Sequence, residues 1–284
     1  MNQRNRYVTC MIYEITRGKV ASFDDLINSR KLPEFSGNPF DRFRPKTENA
    51  IKATFAVTAA TDLTTNQDVF VKKVGGELTN LRREKLFLKL LNEIFALLSL
   101  PASPNFPALV GFGFSGSDFY IVTKAVSGLV FDSALNSDLE SKLVFVENAA
   151  LSLSDLEKVG IIHRDIHPAN VLFGKFSSPL IDFDCAQVPS LLDLETKFGK
   201  LGASDYCAPE RIANLAYDAR SDVFSLGVVA SKLLGTKPAN LDYIPPHSVR
   251  FLLSIALSVD PNDRFANASD FAKKTSQVRK TLFP

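Results

Sequence analysis

The apolar positions change their period along the chain. Lys52 to Thr58 and Asp68 to Val74 are short runs rich in β-branched and aromatic residues, which predicts two strands. From Glu77 to Leu100 the residues Leu81, Leu86, Leu88, Leu91, Ile94, Leu97 and Leu98 approximate helical spacing, and Pro101 and Pro104 end the helix. Two further strands are expected near Ala108 to Phe114 and Phe119 to Thr123. Beyond Ser127-Gly128 the pattern is mostly helical. Strands first and helices later predict an α+β protein in two lobes. Ahead of these elements, Tyr7 to Tyr13 has the composition of an extra strand, and Pro33, Gly37, Asn38, Pro39 and Pro45 punctuate a turn-rich stretch. Residues 1–45 are read as an N-terminal extension, either a wrap or a partly ordered tail.

Composition narrows the picture. Of 284 residues, 45% are hydrophobic and 23% charged, which excludes a disordered or fibrous chain. Lys plus Arg number 33 against 31 for Asp plus Glu, a net charge of +2, so no bulk attraction to nucleic acid or anionic lipid is expected. The three cysteines, Cys10, Cys185 and Cys207, are odd in number and widely spaced, which excludes a disulfide framework or a C-x-x-C site. A reducing compartment, the cytoplasm, is the expected location. No run reaches the ~18 to 20 apolar residues of a membrane span. No apolar core of a signal peptide follows the basic stretch Met1 to Tyr7.

The stretch Gly160 to Phe173 carries the chemistry. An apolar segment enters a polar loop containing Asp165 and, five positions later, Asn170, then leaves as a short strand. Leu180-Ile181-Asp182-Phe183-Asp184 follows. Gly174 to Ser178 makes a plausible turn, so Val171 to Phe173 and Pro179 to Ile181 are expected to pair as a hairpin. That hairpin sets Asn170 beside Asp182, two oxygen ligands suited to Mg²⁺, which also takes substrate phosphates. Asp165 is then placed to accept a proton from a hydroxyl nucleophile.

His163-Arg164-Asp165 with Asn170 resembles the catalytic loop of the protein kinase family, and Asp182-Phe183-Asp184 resembles its metal-binding D-F-G. Val69-Phe70-Val71-Lys72, Ala208-Pro209-Glu210, Asp222 to Gly227 and Asp260 to Arg264 resemble further family motifs, in the family's order. The resemblance implies a two-lobed protein kinase-like fold, with a small β-rich N-lobe over about residues 46–123 and a larger helical C-lobe over about 127–284. It implies ATP- and Mg-dependent phosphoryl transfer to Ser or Thr of a protein substrate. Asp165 would be the catalytic base, Asn170 and Asp182 the metal ligands, and Lys72 the phosphate-holding lysine. Lys73 is the alternative to Lys72. Glu93 would aim the lysine, with Glu84 and Glu77 as alternatives. Tyr120 to Gly128 resembles the hinge, with Thr123 as gatekeeper and backbone groups of Lys124 and Val126 reading the adenine. His163 and Phe183 would stack, Asp222 would hold the catalytic-loop backbone, and Glu210 would pair with Arg264.

The chain also departs from the family. The phosphate loop, Ile51 to Val57, lacks glycine and offers Ala53, Phe55 and Ala56 instead. Asp184 replaces the Gly of D-F-G. His167 stands where Lys is usual in Ser/Thr kinases, and Asp165-Ile166-His167-Pro168 resembles small-molecule phosphotransferases such as aminoglycoside kinases. A protonated His167 would neutralise developing phosphoryl charge in part; packing in the loop is its alternative role. Ala203 replaces a Thr whose hydroxyl contacts the catalytic Asp, so that contact is expected to be lost unless Ser204 supplies it. Arg164 suggests a segment ordered by an anion, with Thr196 as a candidate phosphosite. Two rival functions stand beside the protein kinase: a small-molecule kinase, and a pseudokinase acting as a binding or scaffold module.

Overall fold

The computed structural model describes residues 15, 34–36, 38–46, 55–75, 81–189, 191–235 and 246–284. The strand expected at Tyr7 to Tyr13 lies outside these residues, as do Ala53 and Glu77. The described residues form two compact units. The first draws on Met1–Ser99, Pro107–Ala125 and Ser190–Gly199, the second on Leu100–Phe106, Val126–Pro189 and Lys200–Pro284. Leu100–Phe106 thus fall in the helical unit and Ser190–Gly199 in the sheet-bearing one.

In the first unit Glu34–Ser36 (β1), Phe43–Pro45 (β2), Phe55–Asp62 (β3), Gln67–Val74 (β4), Leu109–Ser115 (β5) and Asp118–Lys124 (β6) form one sheet, ordered β1-β5-β6-β4-β3-β2. All neighbours are antiparallel except β1, which lies parallel to β5. One face buries Phe43, Ala60, Val69, Val71, Tyr120 and Val122. Strand alternation then turns Lys72, whose register partner is Ile121, to the other face. There the helix Leu81–Ser99 (α1) packs, with the Phe87 ring edge-on to Phe119 at 4.7 Å.

The sheet extends back past residue 45, where the sequence reading ended the extension. β2 is held because Phe43 is buried and Arg42 forks onto buried Asp62 at 3.0 and 2.8 Å. That guanidinium, against the opposing effect of burial, drives the Asp62 carboxyl far below the usual carboxylate range. Strands of three residues are too short to display a period of two, which is why the sequence pattern left them as turns.

The second unit carries the helices Phe131–Ala134 (α2), Leu139–Lys158 (α3), Pro209–Ile212 (α5), Arg220–Leu233 (α6), His247–Ala256 (α7) and Ala268–Leu282 (α8); Leu194–Phe198 (α4) belongs to the first unit. Helix α3 packs along α8 and α6. Side chains close the helix starts. Asp138 accepts from Ser141 N–H, Asn267 from Asp270 N–H, and Glu157 of α3 accepts the first N–H of α8 at 3.0 Å. The expected hairpin is present as a bridge between Val171 and Leu180, with Leu172 N–H donating to the Pro179 carbonyl and Ile181 N–H to the Asn170 carbonyl. Among the described residues no helix is long and apolar enough to cross a membrane.

Candidate active site

The loop from His163 to Asn170 is held at its start by a buried carboxylate. Asp222, in the first turn of α6, accepts the backbone N–H of His163 at 2.6 Å and of Arg164 at 2.9 Å. Burial pushes its carboxyl up, opposed by those donors and by the nearby cationic groups. The grip fixes Arg164 at φ 67°, a region non-glycine residues rarely enter. The His163 ring lies 4.7 Å from the ring of Phe183 and its Nε2 is 3.1 Å from the Ile181 carbonyl. The two rings meet at an interplanar angle of 48°, a tilted contact rather than the expected stack, and it ties the loop to the Asp182-Phe183 turn.

Asp165 emerges from this loop with contacts on both oxygens. Oδ1 accepts the Ala203 N–H at 2.7 Å. The Asn170 amide nitrogen donates to the Asp165 carbonyl at 3.0 Å and to Oδ2 at 3.3 Å. His167 Nε2 sits 3.6 Å from Oδ2, while its Nδ1 accepts the Ala169 N–H at 3.3 Å. Burial alone would raise the Asp165 carboxyl; His167, the Ala203 N–H and nearby imidazole charge outweigh it and leave it lowered. In return the Asp165 carboxylate raises His167 against the opposing effect of burial. The result is an ionised, oriented acceptor beside a ring that favours its proton.

The donor set suits a magnesium ion. With its nitrogen committed to Asp165, Asn170 has its Oδ1 as the atom it could offer to a metal. The backbone bond from Ile181 N–H to the Asn170 carbonyl sets Asp182 alongside, at φ 66°. Among the described residues no group of three or more His, Cys, Asp or Glu side chains is arranged to hold a metal unaided. One carboxylate and one amide oxygen, completed by substrate phosphates and water, is the sparse set Mg²⁺ accepts.

In the first unit Lys72 Nζ donates to both oxygens of Glu93, at 2.8 and 2.7 Å, with the side chains 10% and 2% exposed. The neighbouring Lys73 turns to the opposite face of β4 and pairs with Asp118 at 3.0 Å. Glu84 is taken by Lys197 of α4 at 2.7 Å, and Glu77 lies outside the described residues. Of the lysine and glutamate candidates, the structure brings together Lys72 and Glu93. Phe55 opens β3 rather than forming a loop. Thr123 is buried near the end of β6. The Lys124 N–H is committed to the Ala108 carbonyl, so that donor is not available to a nucleotide. Val126 follows as a half-buried residue of the second unit.

Residues 54–274 match the family model for the protein kinase domain. The chain belongs to the protein kinase domain family. The kinase domain is 32% identical over 160 residues to the serine/threonine-protein kinase drp72 of Corynebacterium efficiens, covering 49% of this chain and 31% of that protein. It is 29% identical over 266 residues to the serine/threonine-protein kinase PknB of Mycolicibacterium smegmatis, covering 80% and 41%. It is 26% identical over 249 residues to PknB of Mycobacterium leprae, covering 75% and 39%. The chain thus spans well under half the length of these curated relatives.

With no Thr hydroxyl at position 203, the Ala203 backbone N–H contacts Asp165. The Arg164 guanidinium is buried, donates to Gln187 Oε1 at 2.7 Å and lies 5.0 Å from the centre of the Tyr217 ring. Asp184, in place of the family's Gly, is buried and has no positive φ, so it sits there without backbone strain. The Glu210–Arg264 pair is present as a two-pronged contact at 2.7 Å on each prong. Sequence reasoning missed Gln187, Arg211 and Tyr217. The only available signal was a second arginine directly after Ala208-Pro209-Glu210.

Proposed function

We propose that the chain is an ATP- and Mg-dependent protein kinase that phosphorylates Ser or Thr hydroxyls. The observation that carries the reading is Asp165, ionised and held by Ala203 N–H on one oxygen and Asn170 on the other. An acceptor fixed in this way can orient a substrate hydroxyl and take its proton as the phosphoryl group arrives. Asn170 and Asp182 would hold magnesium, which supplies neutralisation of phosphate charge when bound. Lys72, aimed by Glu93, would hold the α- and β-phosphates as a fixed point charge. Thr123, the Lys124 carbonyl and Val126 would border the adenine, and Ala53 and Phe55 the phosphates. His167 would add positive charge beside the reacting group.

Protein substrates are favoured over small molecules by the Glu210–Arg264 pair beneath the segment before Ala208, and by the serine/threonine-protein kinase relatives. A cytoplasmic setting agrees with Cys185 and Cys207 as buried thiols. The deciding experiment incubates the chain with γ-labelled ATP, magnesium and a protein lysate, beside Asp165→Asn and Asp182→Asn. Labelled phosphoserine or phosphothreonine with the wild type alone is expected. Labelling of metabolites but no protein would favour a small-molecule kinase. Labelling that survives both substitutions would remove the assignment.

A further inference from the structure

Three observations within the second unit converge on Arg211. Its guanidinium is 3% exposed and donates from Nη1 to the Arg164 carbonyl at 2.7 Å and from Nη2 to the Leu201 carbonyl at 3.1 Å. It therefore ties the catalytic loop to Leu201-Gly202-Ala203, the stretch whose Ala203 N–H holds Asp165. Next, the carbonyl it grips belongs to a residue at φ 67°. Such a conformation persists only where the surroundings over-determine it. Asp222 fixes the N–H side of that residue and Arg211 its carbonyl side. Last, the Arg164 guanidinium is itself turned inward, to Gln187 and to the Tyr217 ring. The Arg211 guanidinium lies 5.3 Å from the centre of the same ring. One aromatic face thus organises both arginines.

An arginine beside the catalytic Asp could order the loop by binding a phosphorylated side chain. Here that arginine is engaged by Gln187 and Tyr217, and Arg211 adds a second link from the catalytic loop to the Ala203 segment beside the direct Ala203–Asp165 contact. We propose that Arg211 is a positioning residue that, with Tyr217 and Gln187, sets the catalytic loop in its working geometry, so that the segment before Ala208 needs no phosphorylation for activity. This rests on the protein kinase reading above. Arg211 touches neither nucleotide nor hydroxyl in that reading; it acts through the Leu201 and Arg164 carbonyls on Asp165. Its loss should lower the rate of transfer and leave nucleotide binding alone.

The test begins with the full chain treated with a protein phosphatase, freed of it, and shown by mass spectrometry to be unmodified. It is expected to phosphorylate dephosphorylated casein with the kcat of the untreated protein. Activity that appears only after the segment is phosphorylated would overturn the proposal. Arg211→Met is expected to lose roughly 10²-fold in kcat, the scale of an ångström-sized misplacement, with KM for ATP unchanged. Arg211→Lys, which keeps a donor, should recover part of the loss. Full activity in Arg211→Met would also overturn it. Should that variant fail to fold, Tyr217→Phe should retain kcat and Tyr217→Leu should lose it; equal rates would count against the shared-ring arrangement. Amide hydrogen exchange over residues 200–206 separates this inference from the function it rests on. Faster exchange in Arg211→Met than in wild type supports the positioning role even if the wild type transfers no phosphate, an outcome that would sink the kinase reading instead. Equal exchange in both sinks the positioning role.

Discussion

The backbone N–H of Ala203 donates to Asp165 Oδ1 at 2.7 Å. A main-chain donor thereby contacts the carboxylate at the position where the resemblance places a Thr hydroxyl. The approach depends on the preceding residue. Gly202 has φ 87°, and a Cβ built there would stand 2.6 Å from the Arg164 carbonyl oxygen and 3.1 Å from Asp165 Oδ1. The first of these is a backbone atom and cannot swing aside as a side chain would.

Gly202→Ala is therefore expected to fold, with stability lower by roughly 1–3 kcal/mol for the forced left-handed conformation. Its kcat should fall about 10²-fold as the Ala203 N–H shifts from Asp165. Steady-state kinetics with a denaturant titration would check both. A variant with wild-type kcat would show that the Ala203 contact does not orient the catalytic carboxylate.

The two adjacent lysines should separate cleanly. Lys72→Met leaves Glu93 buried without its cation, and breaking such a pair costs ~3–5 kcal/mol. Phosphoryl transfer should be lost with it. Lys73→Met opens a more exposed pair with Asp118, worth up to ~1 kcal/mol, and should keep its activity. The double variant Lys72→Met/Glu93→Leu should regain stability but not transfer. Activity in Lys72→Met together with inactivity in Lys73→Met would reverse the assignment.

How legible these features were depends on the kind of atom that makes them. Asp165, Asn170 and Asp182 stand close together in the chain, and their chemistry is a matter of residue type, so the sequence points at them directly. The choice between Lys72 and Lys73 needed the register of β4 against β6, because neighbours on a strand face opposite ways. The Ala203 N–H contact was not foreseen, because a backbone donor leaves no trace in residue identity. Arg211 escaped for the same reason, since it grips two carbonyl oxygens, and its link to Tyr217 is a ring contact at no fixed spacing. β1 and β2 were hidden by their shortness, with Pro45 inside the second.

Glu210 and Arg264 form a pair that is 6% and 0% exposed, with Ser221 Oγ donating to Glu210 at 2.6 Å. Burial acts to raise the Glu210 carboxyl, and the Arg264 and Ser221 hydrogen bonds overcome it and leave it lowered. A lowered carboxyl contributes stability that is fully present above its unfolded value, ~4.3, and is lost as pH falls through the folded value. Arg264→Met should cost ~3–5 kcal/mol at neutral pH, read from urea unfolding. Glu210→Gln should lose its disadvantage against wild type as the solution is made more acid than pH ~4. A deficit that stays constant into strong acid would mean that the ionised pair is not what stabilises this region.

The Asp165–His167 pair has the opposite pH sign. The carboxylate 3.6 Å from Nε2 raises the imidazole above its ordinary ~6.5. A raised basic group contributes stability that is fully present below the unfolded value and is lost as pH rises through the folded one. His167→Gln should therefore be less stable than wild type at pH ~6, with the gap closing under alkaline conditions. If His167 acts as proposed, turnover should follow the same proton, because only the charged ring would neutralise the moving phosphoryl group. Wild-type kcat is expected to fall along an alkaline limb above the ordinary histidine range, and His167→Lys, with a reference value of ~10.4, should shift that limb upward. The acid limb, set by Asp165, should lie below the usual carboxylate value and move up in His167→Gln, where its partner's charge is gone. Parallel stability curves for wild type and His167→Gln from pH ~6 to 9 would show that the two side chains are neighbours without being coupled.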